Sequence, residues 1–271
     1  MPSVHYHVKI NEINIPKPLL HVIDYEYPLS ERVRTLLRLE SLFHKAFYFV
    51  ALEDALQHHA ALLALFEIIE VAGRADLKSD ILQELERQRQ GLENLRNNKA
   101  IDQDKLAEVL TEISQCLKSI HGLAGKLGQN LKEIEWLMNI KQRASIPGGT
   151  CEFDLPAYHY WLHIPSDERR AQLNLWLKPM LPIYQGISVV LKLLRESGAP
   201  QTVLAIKGSY QQMLNGRNAQ LIKISLNQHQ PYTPETSANK YALSIRFLEA
   251  LTEHPKTCTE NLEFKLTFCN L

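Results

Sequence analysis

The sequence predicts an α+β fold, with an N-terminal and central α-helical domain and a smaller, mainly C-terminal antiparallel β domain. Apolar residues recur at helical spacing almost throughout residues 30–143, whereas the alternation typical of strands predominates after Gly198. Helices collected in one half of a chain and strands in the other are typical of α+β folds and not of doubly wound α/β folds. We therefore divide the chain into an N-terminal extension (1–20), a mainly α-helical domain (21–147), and a domain of a short helix, a long helix and antiparallel strands (148–271).

The first half of the chain contains five predicted helices. Ser30 is suited to cap the first of them, because its hydroxyl oxygen can accept a hydrogen bond from a backbone N–H group at the helix start. Glu31 adds a carboxylate to the first turn, where the helix dipole favours negative charge. The other four helices are predicted over residues 53–72, 76–96, 102–122 and 129–144. Pro147, Gly148 and Gly149 then form a turn that no helix crosses.

The second half begins with a short strand-like stretch over residues 151–155. A helix is predicted to start at Pro156, because proline suits the first helical position. A long helix over residues 167–196 is expected to kink near Pro179 and Pro182. The remaining strands are predicted over residues 203–206, 220–226, 242–248 and 262–268, with two earlier strands over residues 4–10 and 22–27.

Composition argues against several classes of protein. The 30 Lys and Arg residues balance the 30 Asp and Glu residues, whereas a nucleic-acid-binding protein usually has a basic excess. An apolar content of 45% excludes an intrinsically disordered chain. No apolar run approaches the roughly 20 residues that a membrane span needs, so no membrane insertion is expected. No two of the four cysteines form a CxxC motif, and the N-terminus has no signal-peptide pattern. We therefore predict a cytoplasmic protein with reduced thiols.

The sequence motifs of the common enzyme classes are absent from the chain. It contains no GxGxxG after a predicted strand, no GxxxxGK(S/T), no GxSxG and no HExxH. The glycine-rich segment 122–128 lies between two predicted helices and lacks the P-loop spacing, so we interpret it as a helix–helix connection. The sequence therefore predicts a protein that is not an enzyme and that requires no cofactor and no metal.

One pair of histidines leaves an alternative open. His159 and His163 are four residues apart in a predicted helix, so they share a face, as two metal ligands on one helix must. Cys151, Glu152 and Asp154 lie nearby in the sequence. However, no glutamate follows His159 as a base, and zinc sites need three or four converging ligands. A metal-dependent hydrolase that uses His159 and His163 is therefore the alternative to a non-enzymatic function.

Positive charge is concentrated on the first predicted helix. Arg34 and Arg38 are four residues apart, with Arg32 nearby, and like charges at this spacing destabilise an isolated helix by about 0.2–0.5 kcal/mol. Glu31 and Glu40 can relieve part of this repulsion, so an ordinary solvated face is one interpretation. The other interpretation is that two guanidinium groups are held ready for a ligand that carries carboxylates.

Five segments of the chain resemble those of a known family. They are YPLSERVRTLLRLE (27–40), DILQELERQ (80–88), SIPGGTCEFDLP (145–156), YHYWLH (158–163) and SIRF (244–247). The third and fourth segments form a long and unusual block, which makes the match specific. On these segments the chain, from about residue 22 onward, resembles the Z-ring-associated protein D (ZapD) family of bacteria.

The resemblance implies a cytoplasmic, non-enzymatic homodimer that acts in cell division. ZapD-like proteins have a helical domain and a β domain, and they bind the C-terminal tail of the tubulin-like division GTPase FtsZ. They cross-link FtsZ filaments at the midcell division ring. The resemblance therefore implies that this chain promotes Z-ring assembly by bundling filaments, with FtsZ and a second copy of itself as its partners.

The resemblance further implies that basic residues near the junction of the two domains hold the FtsZ tail. On matching positions, the first candidates are Arg38 on the first helix and His159 in the YHYWLH segment. The second-rank candidates are Arg34, Lys240 and Arg246. Glu135 and Ala242 stand where relatives are expected to carry a basic residue.

Overall fold

The computed structural model describes residues 22–73, 76–125, 127–216 and 218–270. The predicted N-terminal extension (1–20) and the predicted strand at residues 4–10 lie outside the described residues. Helices occupy most of the described chain up to Glu196, and strands occupy its C-terminal part, apart from one strand at Val22–Pro28. The predicted α+β class is thus confirmed.

The described residues form two compact units. The helical unit comprises Leu37–Val190, and the strand unit comprises residues 22–36 and 191–270. The chain passes from the strand unit into the helical unit within one helix, Glu31–Val50, and returns within another, Leu181–Glu196. The strand unit is made of two separate stretches of the chain, whereas the predicted domains are continuous in sequence. The predicted domain boundaries stay a prediction.

Nine α-helices and one 3₁₀ turn are found in the described residues. They are α1 (Glu31–Val50), α2 (Ala55–Gly73), α3 (Leu77–Glu93), α4 (Gln103–His121), α5 (Gln129–Lys132), α6 (Glu135–Ala144), α7 (Pro156–His163), α8 (Ser166–Leu177), the 3₁₀ turn (Lys178–Met180) and α9 (Leu181–Glu196). The predicted start and stop signals are confirmed at three of the helices. The N–H of Val33 donates to Ser30 Oγ at 3.2 Å, Gly122 is the C-cap of α4, and Pro156 opens α7.

Two predicted helices are interrupted. The helix predicted over residues 129–144 is divided into α5 and α6, because the backbone at Ile134 is extended. The helix predicted over residues 167–196 is divided by the 3₁₀ turn that contains Pro179, at the position predicted for the kink. Proline has no N–H to donate to the preceding turn of an α-helix. At Pro179 a short 3₁₀ turn therefore stands in place of a continuous α-helix.

Residues 151–155, predicted as a strand, form a turn instead. The backbone N–H groups of Asp154 and Leu155 both donate to the Cys151 carbonyl, at 3.1 and 3.0 Å. Since these bonds are local, the two N–H groups are not available to a neighbouring strand. Phe153, which the alternation of apolar and polar residues should have buried, is exposed. The strand prediction was therefore wrong.

The longest apolar helix, α2, lies in the core of the helical unit. A segment of α2 has a mean hydropathy of 1.3, so by length and composition alone this helix could cross a membrane, contrary to the expectation from sequence. Half of that segment is buried in the folded chain, and core helices meet the same criterion. Leu62, Leu65 and Ile69 are buried, whereas Glu67 and Glu70 lie on the exposed side.

The strand unit contains two antiparallel sheets. Its strands are β1 (Val22–Pro28), β2 (Gln201–Ala205), β3 (Ser209–Met213), β4 (Leu221–Asn227), β5 (Tyr232–Ala238), β6 (Ala242–Glu249) and β7 (Leu262–Cys269). One sheet has the order β1-β4-β7-β2 and the other has the order β3-β6-β5. Ile222 and Ile224 of β4 are buried in one apolar core with Leu243 and Ile245 of β6.

Five of these strands follow the pattern predicted from sequence, and two do not. The predicted strands at residues 22–27, 203–206, 220–226, 242–248 and 262–268 are confirmed as β1, β2, β4, β6 and β7. The two others, β3 (SYQQM) and β5 (YTPETSA), consist mostly of polar residues. Both are edge strands that pair with β6, so they need not bury a full apolar face. They therefore lack the alternation on which strand prediction depends.

Candidate functional site

Arg38 lies on the outward face of α1. Leu39, Leu42 and Phe43 of the same helix are buried, and this packing leaves Arg38 exposed. Its side chain forms no hydrogen bond or ion pair with any residue that the structure describes. A guanidinium group whose donors are unoccupied can bind a carboxylate through two parallel hydrogen bonds. Arg38 is therefore available to an acidic ligand.

Arg34, one turn earlier on α1, is engaged with its own surroundings. Its Nε donates to Oε1 of Glu31 at 3.0 Å, and its Nη2 donates to the carbonyl of Pro28 at 3.4 Å. These bonds join the first turn of α1 to the end of β1. The two arginines that the sequence presents as a pair thus differ, because Arg34 must exchange existing partners to bind a ligand and Arg38 need not.

The buried face of α7 fixes this helix. The Tyr158 hydroxyl and Nδ1 of His59 share a hydrogen bond at 2.6 Å, and Nε1 of Trp161 donates to Oε1 of Gln172 at 2.7 Å. Burial raises the pKa of Tyr158 and lowers the pKa of His59, so both groups stay neutral near pH 7. His159, which is exposed on α7, is therefore presented from a firmly packed helix.

His159 and His163 share the exposed side of α7, as the spacing predicts. Their ring centroids are 4.4 Å apart, and Nδ1 of His163 donates to the His159 carbonyl at 2.8 Å. Nδ1 of His159 lies 4.0 Å from Oε2 of Glu152. Within the ranges that the structure describes, no three His, Cys, Asp or Glu side chains are grouped to hold a metal ion. The described residues therefore offer the metal-dependent hydrolase no complete ligand set.

The turn that leads into α7 is tightly packed around two glycines. Gly148 has a φ of +72°, a conformation that glycine adopts without steric cost. A Cβ on Gly149 would lie 2.4 Å from the carbonyl oxygen of Arg143. Nη1 of Arg143 lies 3.6 Å from Oδ1 of Asp154, which links the end of α6 to the end of the turn. The SIPGG segment thus has the residues that this compact entry to α7 requires.

A buried arginine that no sequence pattern marks joins three segments next to α7. Arg169 is 6% exposed, and its Nε donates to Nδ1 of His58 at 2.9 Å. Its other nitrogens donate to the carbonyls of Leu162 at 3.0 Å, of Glu53 at 2.7 Å, and of Ile164. The contacts with Leu162 and Ile164 satisfy carbonyl groups at the C-terminal end of α7 that helix geometry leaves without partners.

Two of the predicted residues lie in the hairpin of β5 and β6, one on a strand and one in the turn. Arg246 of β6 is exposed, and its Nη2 donates to Oε2 of Glu235, directly opposite on β5, at 2.5 Å. Lys240 lies in the turn between these strands, with Nζ 4.7 Å from the centre of the Tyr241 ring. This distance is typical of a cation–π contact. Both cations are therefore exposed but already have local partners.

The structure divides the five predicted tail-binding residues between the two units. Arg38 and His159 belong to the helical unit, and Arg34, Lys240 and Arg246 belong to the strand unit. Glu135 and Ala242 are the first residues of α6 and β6. Among the five, Arg38 is the residue whose side chain has no partner within the described part of the chain.

Comparison with known proteins identifies one family. The model of the family described as ZapD, cell division protein, matches residues 37–246, a range that includes Arg38, His159, Lys240 and Arg246. The chain is 52% identical over 252 residues to the cell division protein ZapD of Dechloromonas aromatica (strain RCB), which covers 92% of this chain and 100% of that protein. Over 251 residues it is 52% identical to the cell division protein ZapD of Azoarcus sp. (strain BH72), again with 92% and 100% covered. It is 51% identical over 251 residues to the cell division protein ZapD of Cupriavidus metallidurans, with the same coverage.

Proposed function

The chain belongs to the ZapD family of cell division proteins, and from this premise we propose that it binds the C-terminal tail of FtsZ and cross-links FtsZ filaments. It acts as a cytoplasmic homodimer at the midcell division ring and has no catalytic activity of its own. The family supports the role in cell division. The chemistry of the exposed basic residues supports the choice of an acidic peptide as the ligand.

The observation that carries this proposal is the exposed guanidinium of Arg38, which has no partner among the described residues and lies on a helix whose opposite face is buried. A carboxylate of the tail replaces water at this group without first breaking an internal ion pair. Binding therefore gains a charge-assisted hydrogen bond at little reorganisation cost. His159, presented from a firmly packed α7, contributes a second polar contact from the helical unit.

Cross-linking requires two tail sites in one particle, which a homodimer supplies. In a two-fold dimer each subunit carries the same site, so one dimer can hold tails from two filaments. Linked binding multiplies the affinities of the two sites, and a substitution in the tail site changes both subunits. Such a substitution should therefore weaken bundling more than it weakens binding of a single tail. The proposal therefore predicts a dimer and a bundling activity that depends on it.

The test is co-sedimentation with polymerised FtsZ, in parallel with FtsZ that lacks its C-terminal tail. We expect the protein to sediment with intact filaments and to bundle them, and to remain in the supernatant with tail-less filaments. Equal sedimentation with both kinds of filament would show that another part of FtsZ is recognised. No sedimentation with either would refute the proposed function. Light scattering of the protein alone tests the dimer.

A further inference from the structure

The outward face of α1 continues beyond Arg38 for the rest of the helix. Ser41, Lys45 and Tyr48 are exposed, and they follow Arg38 at intervals of three, four and three residues. At 100° per residue these four side chains fall within an arc of about 80° on the helix surface. They form a single stripe, here called the α1 stripe, and all four belong to the helical unit.

The α1 stripe is positive and has no carboxylate of its own. Like Arg38, Lys45 forms no ion pair or hydrogen bond with residues in the described ranges. The neighbouring carboxylate of Glu31 is taken up by Arg34, and Glu40 lies on another side of the helix. Two cations separated by about 10 Å along the helix axis are therefore left facing solvent together.

An exposed aromatic ring ends the stripe. Tyr48 is 53% exposed, and its ring contacts Phe49 edge-on, with centroids 5.3 Å apart. Tyrosine loses little conformational freedom when it is buried at an interface, because it has only two side-chain torsions. A ring held against a neighbouring ring loses still less. Tyr48 is thus suited to cover an apolar side chain of a partner while its hydroxyl stays hydrated.

We propose that the FtsZ tail lies along the α1 stripe and presents carboxylates to it, so that Lys45 and Tyr48 extend the site that Arg38 begins. This inference rests on the proposed function and adds the direction in which the tail runs. Charge complementarity selects the occupant, since two cations that find no ion-pair partner in the described part of the chain and share one helix face attract a peptide with at least two carboxylates. The distance between the cations matches about three residues of extended chain, so a short segment spans both.

The test is titration of the FtsZ tail peptide into the full-length protein and into single variants. Lys45→Ala should weaken binding about two- to fivefold, as expected for one exposed charge pair, and Lys45→Glu should weaken it further. Tyr48→Ala should weaken binding about threefold or more, while Tyr48→Phe should bind within about twofold of the parent. Lys105, an exposed lysine on α4, supplies the matched control variants Lys105→Ala and Lys105→Glu.

The outcomes separate this inference from the proposed function. If the parent protein does not bind the tail, the proposed function fails. If the parent binds and Arg38→Ala weakens binding but the Lys45 and Tyr48 variants do not, the tail runs elsewhere and the inference is overturned. Equal losses for Lys105→Glu and Lys45→Glu would also overturn it, because they would indicate attraction by overall charge. Circular dichroism of each variant shows that it is folded.

Discussion

Replacement of Arg169 by methionine should destabilise the helical unit by about 3–5 kcal/mol, because it removes a buried charged donor that serves four neutral acceptors. Methionine is similar in length but donates no hydrogen bond. The change therefore leaves Nδ1 of His58 and the carbonyls of Leu162, Ile164 and Glu53 without the donors that they have in the parent. A hydrogen bond to a charged group contributes about 1.5–3 kcal/mol, and the sum is reduced because water can reach some of these acceptors.

Urea unfolding followed by tryptophan fluorescence measures this loss in the relevant unit. The three tryptophans of the chain, Trp136, Trp161 and Trp176, all lie in the helical unit. The matched control is Arg170→Met on the same helix. Arg170 donates to the carbonyls of Val50 and Leu52, both at 3.2 Å, but its side chain is 28% exposed. Water can replace it, and we expect a loss below about 1 kcal/mol. Equal midpoints for the two variants would refute the reasoning.

Three further predictions concern pH, a glycine and the ligand site. Burial lowers the pKa of His58 below its ordinary value of 6.5, so at acidic pH the unfolded chain binds more protons than the folded chain. The free energy of unfolding, followed by fluorescence, should be constant above about pH 7 and fall below pH 6.5, less steeply in His58→Gln. Gly149→Ala should lower the stability measured by thermal unfolding by about 1–3 kcal/mol, because its Cβ would overlap the Arg143 carbonyl. Gly91→Ala, where α3 leaves open space, should raise it by about 0.5–1 kcal/mol, and equal shifts for the two variants would contradict the steric argument. Arg38→Ala should reduce the affinity for the FtsZ tail, measured by calorimetry, about ten- to a hundredfold; Arg38→Lys should also bind more weakly, and His159→Ala should lose less. Unchanged binding by folded Arg38→Ala would show that the site is elsewhere.

Local signals predicted several helix boundaries because the chemistry that sets them is local. Ser30, Gly122 and Pro156 act on backbone groups within a few residues of themselves, so their positions could be read from the sequence. The polar strand β5 could not be found in this way, because its pairing with β6 and not its own pattern holds it in the sheet. The opposite happened at residues 151–155, where the strand prediction failed. The apolar and polar residues alternate as in a strand, but the backbone N–H groups form hydrogen bonds inside a turn.

The candidate site shows the same division. The spacing of Arg34 and Arg38 marked one face of α1 as unusual, but sequence could not show that Arg34 is engaged with Glu31 while Arg38 contacts no partner in the described ranges. The pairing of His58 with Arg169 joins residues 111 positions apart, and neither residue belongs to a pattern. Contacts of this kind arise only when the fold brings distant segments together, so they must be read from structure. The tail-binding roles of the basic residues stay a prediction.

The pairing of β1 with β4 sets the order in which the chain can fold during synthesis. Val22 pairs with Asn227, so the first described strand must wait for a partner made about 200 residues later. A ribosome that adds about 5–20 residues per second needs about 10–40 s to deliver that partner. Joining segments so far apart also costs about 5 kcal/mol of chain entropy, which grows with the logarithm of the loop length. Throughout this interval Tyr25 and Tyr27, which pack on the core of the strand unit, have no sheet to join. The nascent chain therefore carries an unpaired aromatic strand near its N-terminus while the whole helical unit is being made.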